Sequence, residues 1–240
     1  MRFMTATLMF LFCTGMNVQA EIRTETVEYR DGDTVLEGYI AYDAKLAAKR
    51  PGILVVPNWL GVTPAVKATL EKYAALGYTA MAADIYGKGV RPDQKTAGEI
   101  AGKFKADRPL MRRRAQAGLD YLAKFKTVDP KRLAAAGYCF GGTSVLELAR
   151  SGAPVKGVVS FHGGLSSPMP KDAKNIKGKV LALHGADDPY VPATEVTAFE
   201  EEMRGGKVDW ELVKYANAVH SFTDKDAGSD NSKGAAYNPQ

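Results

Sequence analysis

From Glu21 to Tyr42 apolar and polar residues alternate around Asp31-Gly32-Asp33, the pattern of a β-hairpin. Beyond it, short apolar runs take turns with segments of helical period. The runs Gly52–Val56, Thr79–Ala83, Arg132–Gly137, Val155–Phe161, Val180–His184 and Asp209–Tyr215 predict strands. Helices are predicted over Ala65–Leu76, ended by Gly77, over Gln94–Phe104 and Met111–Phe125, separated by Pro109, over Gly141–Arg150, and over Thr194–Arg204, closed by Gly205-Gly206. Strands and helices alternating at this spacing imply an α/β fold: a mostly parallel central sheet with helices on both faces and an N-terminal hairpin. No internal repeat and no long linker divides residues 21–240, so one domain is expected.

The first twenty residues follow another pattern. Arg2 precedes the apolar stretch Phe3–Cys13, and Val18-Gln19-Ala20 forms a small-x-small site before Glu21. This is the layout of a secretory signal peptide, and the apolar run is too short to span a bilayer. A lipoprotein signal at Cys13 is disfavoured by the bulky Phe12 before it. The expected mature protein is therefore secreted or periplasmic, without stable membrane insertion. Removal of Cys13 leaves Cys139 alone, which excludes an internal disulfide in that compartment.

Composition adds exclusions. At 45% hydrophobic and 25% charged the chain is ordinary globular material, which rules out a disordered chain, a coiled coil or a collagen. The formal charge of +5 is mildly basic, and Arg112-Arg113-Arg114 is the one compact basic run. It lies in a helical pattern where charges form a solvated face, so no nucleic-acid partner is expected. Asp224, Asp226 and Asp230 look like a calcium loop, but Gly228 is misplaced and no glutamate closes it. No metal and no cofactor is expected, and nothing indicates an oligomer.

The chemistry gathers at Gly137-Tyr138-Cys139-Phe140-Gly141-Gly142, which ends a predicted strand and opens a predicted helix. This is a nucleophile elbow with cysteine in place of serine. Its glycines permit a sharp turn and close chain passage, and the helix N-terminus stabilises a thiolate. A buried structural cysteine in a glycine-rich turn is the competing reading. A phosphate loop fits poorly, because the Gly-Lys-Ser/Thr ending is missing. An elbow nucleophile needs an acid and then a histidine downstream. His220, in the loop after the last strand, is the favoured base over His162 and His184, which precede glycines at strand ends. The acid lies in His184–Pro192, where Asp187 and Asp188 both qualify. Two backbone donors must face the oxyanion: Phe140 supplies one, and the loop after Gly52–Val56, at Trp59, the other. Trp59, Tyr86, Phe140, Tyr190 and Phe222 all fall in these loops and together suggest an apolar pocket.

With those residues in view, the chain from about Thr24 to Gln240 resembles the dienelactone hydrolase family of α/β-hydrolases. The resemblance rests on Gly-Tyr-Cys139-Phe-Gly-Gly, Ala-Asp84-Ile-Tyr86-Gly, His184-Gly-Ala-Asp-Asp188-Pro-Tyr-Val-Pro and His220-Ser-Phe. It implies the α/β-hydrolase fold, a triad of Cys139, Asp188 and His220, and an oxyanion hole from Trp59 and Phe140. The implied activity is hydrolysis of lactones or activated carboxylic esters through a covalent acyl-enzyme. A thioesterase or peptidase-type acyl enzyme, and a non-catalytic binding protein of the same fold, are the alternatives.

The sequence also departs from the family pattern. Asn58 stands where well-known members carry a glutamate that gates the thiol. Lys88 and Asp224 stand at the places of two arginines that hold a substrate carboxylate, which disfavours dienelactone itself. Asn58, Tyr86, Lys88, Tyr190 and Phe222 are the expected substrate contacts. Asp224–Gln240 is polar where family members continue into a terminal helix, so the expectation is either a truncated chain or a sheet face left partly uncovered.

Overall fold

The computed structural model describes residues 20–239, so the expected signal peptide and Cys13 lie outside the described residues, apart from Ala20. Strands β1 (Ile22–Asp31) and β2 (Thr34–Asp43) form the predicted hairpin, paired in register from Ile22↔Asp43 to Asp31↔Thr34. Gly32 supplies the positive φ, +57°, that so tight a turn demands. β2 pairs antiparallel with β4 (Thr79–Ala82). From there β4, β3 (Arg50–Val56), β5 (Val128–Tyr138), β6 (Gly157–Phe161), β7 (Lys179–Gly185) and β8 (Trp210–Tyr215) run parallel, in that spatial order.

The helices are α1 (Pro64–Ala75), α2 (Ala97–Ala106), α3 (Arg108–Lys124), α4 (Phe140–Arg150) and α5 (Ala193–Gly205). β5 begins at Val128, four residues before the predicted Arg132, and two helix boundaries differ from expectation for local reasons. The Asp93 carboxylate accepts hydrogen bonds from the Lys95 and Thr96 amides and the Thr96 hydroxyl. That holds residues 94–96 as a turn and delays α2 to Ala97. In α3 the divider is Asp107 rather than Pro109: its side chain accepts from the Leu110 amide, and Pro109 sits in the first turn, where its missing N–H costs nothing. A 3₁₀ turn over Pro170–Asn175 was not expected from periodicity.

Two apolar clusters flank the sheet. The larger one packs α2, α3, α4 and α5 on one face, with Leu54, Met81, Leu119, Leu146, Leu148 and Phe199 almost fully buried. The smaller sets Val66, Leu70 and Ala74 of α1 against Ile53, Val55, Ala80 and Ala136. On this second face the register aligns Val159 with Leu181, and Phe161 with Leu183 and Val213. These residues are only half-buried, and residues 216–239 contain short turns but no α-helix.

The chain leaves β3 for β4 on one side and pairs β3 with β5 on the other. The topological switch point therefore falls between the carboxyl ends of β3 and β5. In open parallel sheets a ligand crevice forms there, and those two ends carry Asn58-Trp59 and Cys139.

Candidate active site

Cys139 sits between β5 and α4 at φ +54° and ψ −115°, a conformation that costs a non-glycine residue about 1–3 kcal/mol. Its neighbours make the turn possible. A Cβ on Gly141 would stand 1.9 Å from the Val56 carbonyl oxygen, and one on Gly137 would stand 2.0 Å from that of Gly141. The turn is fixed by hydrogen bonds from the Cys139 amide to Phe161 O (3.0 Å) and from the Gly142 amide to Cys139 O (2.9 Å). The thiol thus stands at the N-terminus of a helix whose residues are all buried.

His220 Nε2 lies 3.0 Å from Cys139 Sγ, and its Nδ1 lies 2.8 Å from Asp188 Oδ2. An ionised carboxylate only accepts, so Nδ1 carries the proton and Nε2 faces the sulfur. Asp188 is buried, and its second oxygen accepts from the Tyr190 amide at 2.9 Å. Asp187 is exposed, and its amide donates to Ala218 O. Burial opposes charge on His220, but hydrogen bonds to Asp188 and Cys139 and the charge of both outweigh it. Its pKa is raised to about 9.

The other two histidines are buried and, among the described residues, hydrogen-bond to none of Cys139, Asp188 and His220. His162 Nε2 pairs with Thr223 Oγ1 at 2.8 Å, and burial lowers its pKa to about 3. His184 is likewise buried, with its pKa lowered first by desolvation.

A cleft of about 510 Å³ opens over Cys139, walled by Asn58, Trp59, Leu60, Gln94, Ser221 and Ala235. A second cleft of about 340 Å³ lies beyond the Asn58 wall, against Tyr138, His162, Thr223 and Lys72. Asp224 and Asp226 border both, and no lysine or arginine lines the one holding Cys139. Among the described residues neither the Trp59 nor the Phe140 amide has a protein acceptor.

The expected substrate contacts divide. Asn58 lines both clefts, while its Oδ1 accepts from the Leu60 amide and shapes the turn that presents Trp59. Tyr190 is exposed and sets its ring edge-on to His220, centroids 5.3 Å apart. Tyr86, by contrast, is buried between Phe104 and Phe140, and its hydroxyl donates to Trp59 O at 2.9 Å. It braces the loop rather than lining the cleft. Lys88 is turned to an ion pair with Glu28 on β1, because that carboxylate lies within its reach at the sheet edge. Phe222 is buried against His162 and Tyr215, where it packs the loop of His220.

Sequence reasoning missed three supports. Asp84 is buried with its carboxylate accepting from the amides of Glu37, Tyr86 and Gly87, which fixes the loop carrying Tyr86. Arg150, fully buried at the end of α4, forks onto Glu202 at 2.7 and 2.8 Å and reaches Glu147 at 3.1 Å. Thr223 is the third. Polar residues inside a mainly apolar run were the available signal for Glu147 and Arg150.

The sequence profile described as the Dienelactone hydrolase family matches residues 36–239. A relative from Synechocystis sp. that carries the provisional name carboxymethylenebutenolidase is 25% identical over 231 residues, 90% of this chain and 93% of its own. The crystal structure of a dienelactone hydrolase-like promiscuous phosphotriesterase from metagenomic libraries superposes with a TM-score of 0.86 at 42% identity, covering 91% of each chain. An acylaminoacyl peptidase from Pyrococcus horikoshii shares the fold alone: 14% identity, TM-score 0.69, with 85% of this chain and 38% of that one covered.

Proposed function

The chain belongs to the dienelactone hydrolase family and is an ester or lactone hydrolase of α/β-hydrolase fold; we propose that it works by covalent catalysis at Cys139, with His220 as base and Asp188 orienting that base. The observation that carries this reading is the unbroken line Sγ–Nε2 and Nδ1–Oδ2, at 3.0 and 2.8 Å. With its pKa raised to about 9, His220 already holds the proton it shares with Cys139, and Sγ, paired with that imidazolium, forms its bond to the substrate carbonyl carbon. The carbonyl oxygen becomes an oxyanion and receives the Trp59 and Phe140 N–H groups. As it collapses, the carbon–oxygen ester bond breaks, and His220 returns the proton to the departing alkoxide or enolate. A water molecule, deprotonated by the now neutral His220, then attacks the thioester; the carbon–sulfur bond breaks and the thiolate–imidazolium pair is restored.

The substrate of this reading is a lactone or activated ester without an anionic acyl group. Asp224 and Asp226 border the cleft above the thiol, and a carboxylate entering there meets like charge with no arginine or lysine on the walls. Good leaving groups suit a thiolate, whose acyl-enzyme forms readily from activated carbonyls. The 42% identical phosphotriesterase relative supports a second substrate class. With an aryl dialkyl phosphotriester, the same Sγ forms its bond to phosphorus and the phenolate departs. We further propose export, supported by the residue pattern of positions 1–20; a mature protein beginning at Glu21 in a secreted or periplasmic fraction is the expected result.

The deciding experiment is pre-steady-state hydrolysis of para-nitrophenyl acetate by the chain and by Cys139→Ala. A burst of one product per chain, absent in the variant, is expected. Equal slow rates in both would overturn the triad.

A further inference from the structure

Two imidazoles lie side by side at the carboxyl end of the sheet, and the chemistry above uses only His220. His162 follows β6 directly, is 2% exposed, and holds φ +41° with its amide donating to Leu183 O. Its ring meets the His220 ring edge-on at 5.3 Å between centroids and the Phe222 ring at 5.2 Å. Nε2 pairs with Thr223 Oγ1 at 2.8 Å, while Nδ1 is buried without a partner among the described residues. A buried orphan N–H is rarer and costlier than an orphan lone pair. The proton therefore belongs on Nε2, which donates to Thr223.

The segment that carries His220 needs such a tie. It holds two non-glycine residues at positive φ, Asn217 at +58° and Ser221 at +59°. Strain of this kind persists only where the surroundings over-determine the backbone. Backbone bonds to residues 234 and 236 hold His220 from one side. The His162–Thr223 bond holds the segment from the other and fastens it to the end of β6.

We propose that His162 is a positioning residue that, through Thr223, fixes the loop so that His220 Nε2 meets Cys139 Sγ. The proposal rests on the reading of His220 as the base of Cys139. A ring that stays uncharged is what the place requires, since a second cation 5.3 Å from the His220 imidazolium would oppose it. Burial, with His220 alongside, holds His162 in that uncharged form. Thr223 makes this bond from the wall of the second cleft and does not line the one over Cys139.

The test uses Thr223→Val, His162→Phe and His162→Gln. Valine keeps the shape of threonine and phenylalanine keeps a ring, so each removes the hydrogen bond with little change in packing. Glutamine carries an amide that can donate to Thr223. Two readouts are taken: kcat and KM for para-nitrophenyl acetate, and the rate at which iodoacetamide alkylates Cys139 at pH 6.5. Loss of one buried hydrogen bond predicts about a tenfold fall in kcat for the valine and phenylalanine variants, with KM within about twofold. Alkylation slows in parallel, because the thiolate loses its aligned imidazolium, and glutamine restores most of both. Wild-type kcat and alkylation in Thr223→Val would overturn the proposal, as would a loss confined to KM. Alkylation reads the Cys139–His220 pair whatever the substrate. A chain that turns over no ester thus overturns the hydrolytic reading and leaves this test standing.

Discussion

The nucleophile elbow and the loop that carries His220 are built from different kinds of contact. Around Cys139 the structure is local and dense: residues 137–142 set the turn, every residue of α4 is buried, and Arg150 locks the far end of the helix to Glu202 of α5. Around His220 it is distant and thin. The His220 amide donates to Gly234 O and its carbonyl accepts from Ala236 N, while Phe222 O accepts from Asn238 N. Residues 229–233, which lead to that tail, are exposed. Among the described residues the hydrogen bond that joins the two halves is the 3.0 Å contact of His220 Nε2 with Cys139 Sγ. Under the proposed mechanism, reactivity at Cys139 therefore depends on the looser partner, because the elbow holds the sulfur in place whether or not the imidazole is aligned with it.

Gly141→Ala breaks the rigid side and is expected to have the largest effect. The new Cβ would stand 1.9 Å from a backbone oxygen of β3 that no rotamer change can move. A cost of about 3 kcal/mol or more follows from overpacking, enough to lower the yield of folded protein and the melting temperature together. A variant that melts with the wild type would show that the elbow relaxes far more readily than its geometry implies.

A pH titration of stability separates the two histidines. His220 binds its proton more tightly folded, at about 9, than unfolded, near 6.5. Its contribution is complete below pH 6.5 and is lost as pH rises through 9. His162 has the opposite sign: its folded value of about 3 means that its contribution is present above pH 6.5 and is lost as pH falls toward 3. Urea denaturation at intervals from pH 4 to 9.5 should give a falling alkaline limb of order 2–3 kcal/mol that disappears in His220→Gln. An unchanged limb in that variant would remove the carboxylate–imidazole–thiol line as its source.

The same contrast explains how much was legible beforehand. The strands, the helices and the elbow follow from periods of two and 3.6, and from glycines where no Cβ fits, all of which are short-range information. Gly137, Cys139 and Gly141 announce their geometry within a few residues. Spacing alone does not separate Asp188 from Asp187; the family resemblance favours Asp188, which is also the buried one and bonds His220 Nδ1. The bracing by Tyr86 of Trp59, the turn of Lys88 toward Glu28 and the bond of His162 to Thr223 join residues 27, 60 and 61 positions apart. No local pattern carries such pairings. Strand order was equally silent, because the alternation that predicts a parallel sheet is the same on either side of the switch point.

The smallest expected effect lies in the tail and tests the loose side alone. Asn231 is exposed, touches neither cleft, and donates from Nδ2 to Asn217 O at 2.9 Å. That carbonyl belongs to one of the two strained residues flanking His220, so the bond resists relaxation of the loop toward an ordinary backbone conformation. Asn231→Ala removes a solvent-accessible hydrogen bond worth about 0.5–1.5 kcal/mol, and most of that loss falls on the loop rather than on global unfolding, which is governed by the sheet and α4. The melting temperature should move by no more than about 2 °C. Hydrogen exchange at the amides of residues 217–223 should quicken by several-fold, and kcat should drop by about two- to fivefold as the imidazole spends less time aligned with the sulfur. Faster exchange with unchanged kcat would mean that the contacts of Asp188 and Thr223 hold His220 without help from the tail, and the base loop would then count as rigid as the elbow.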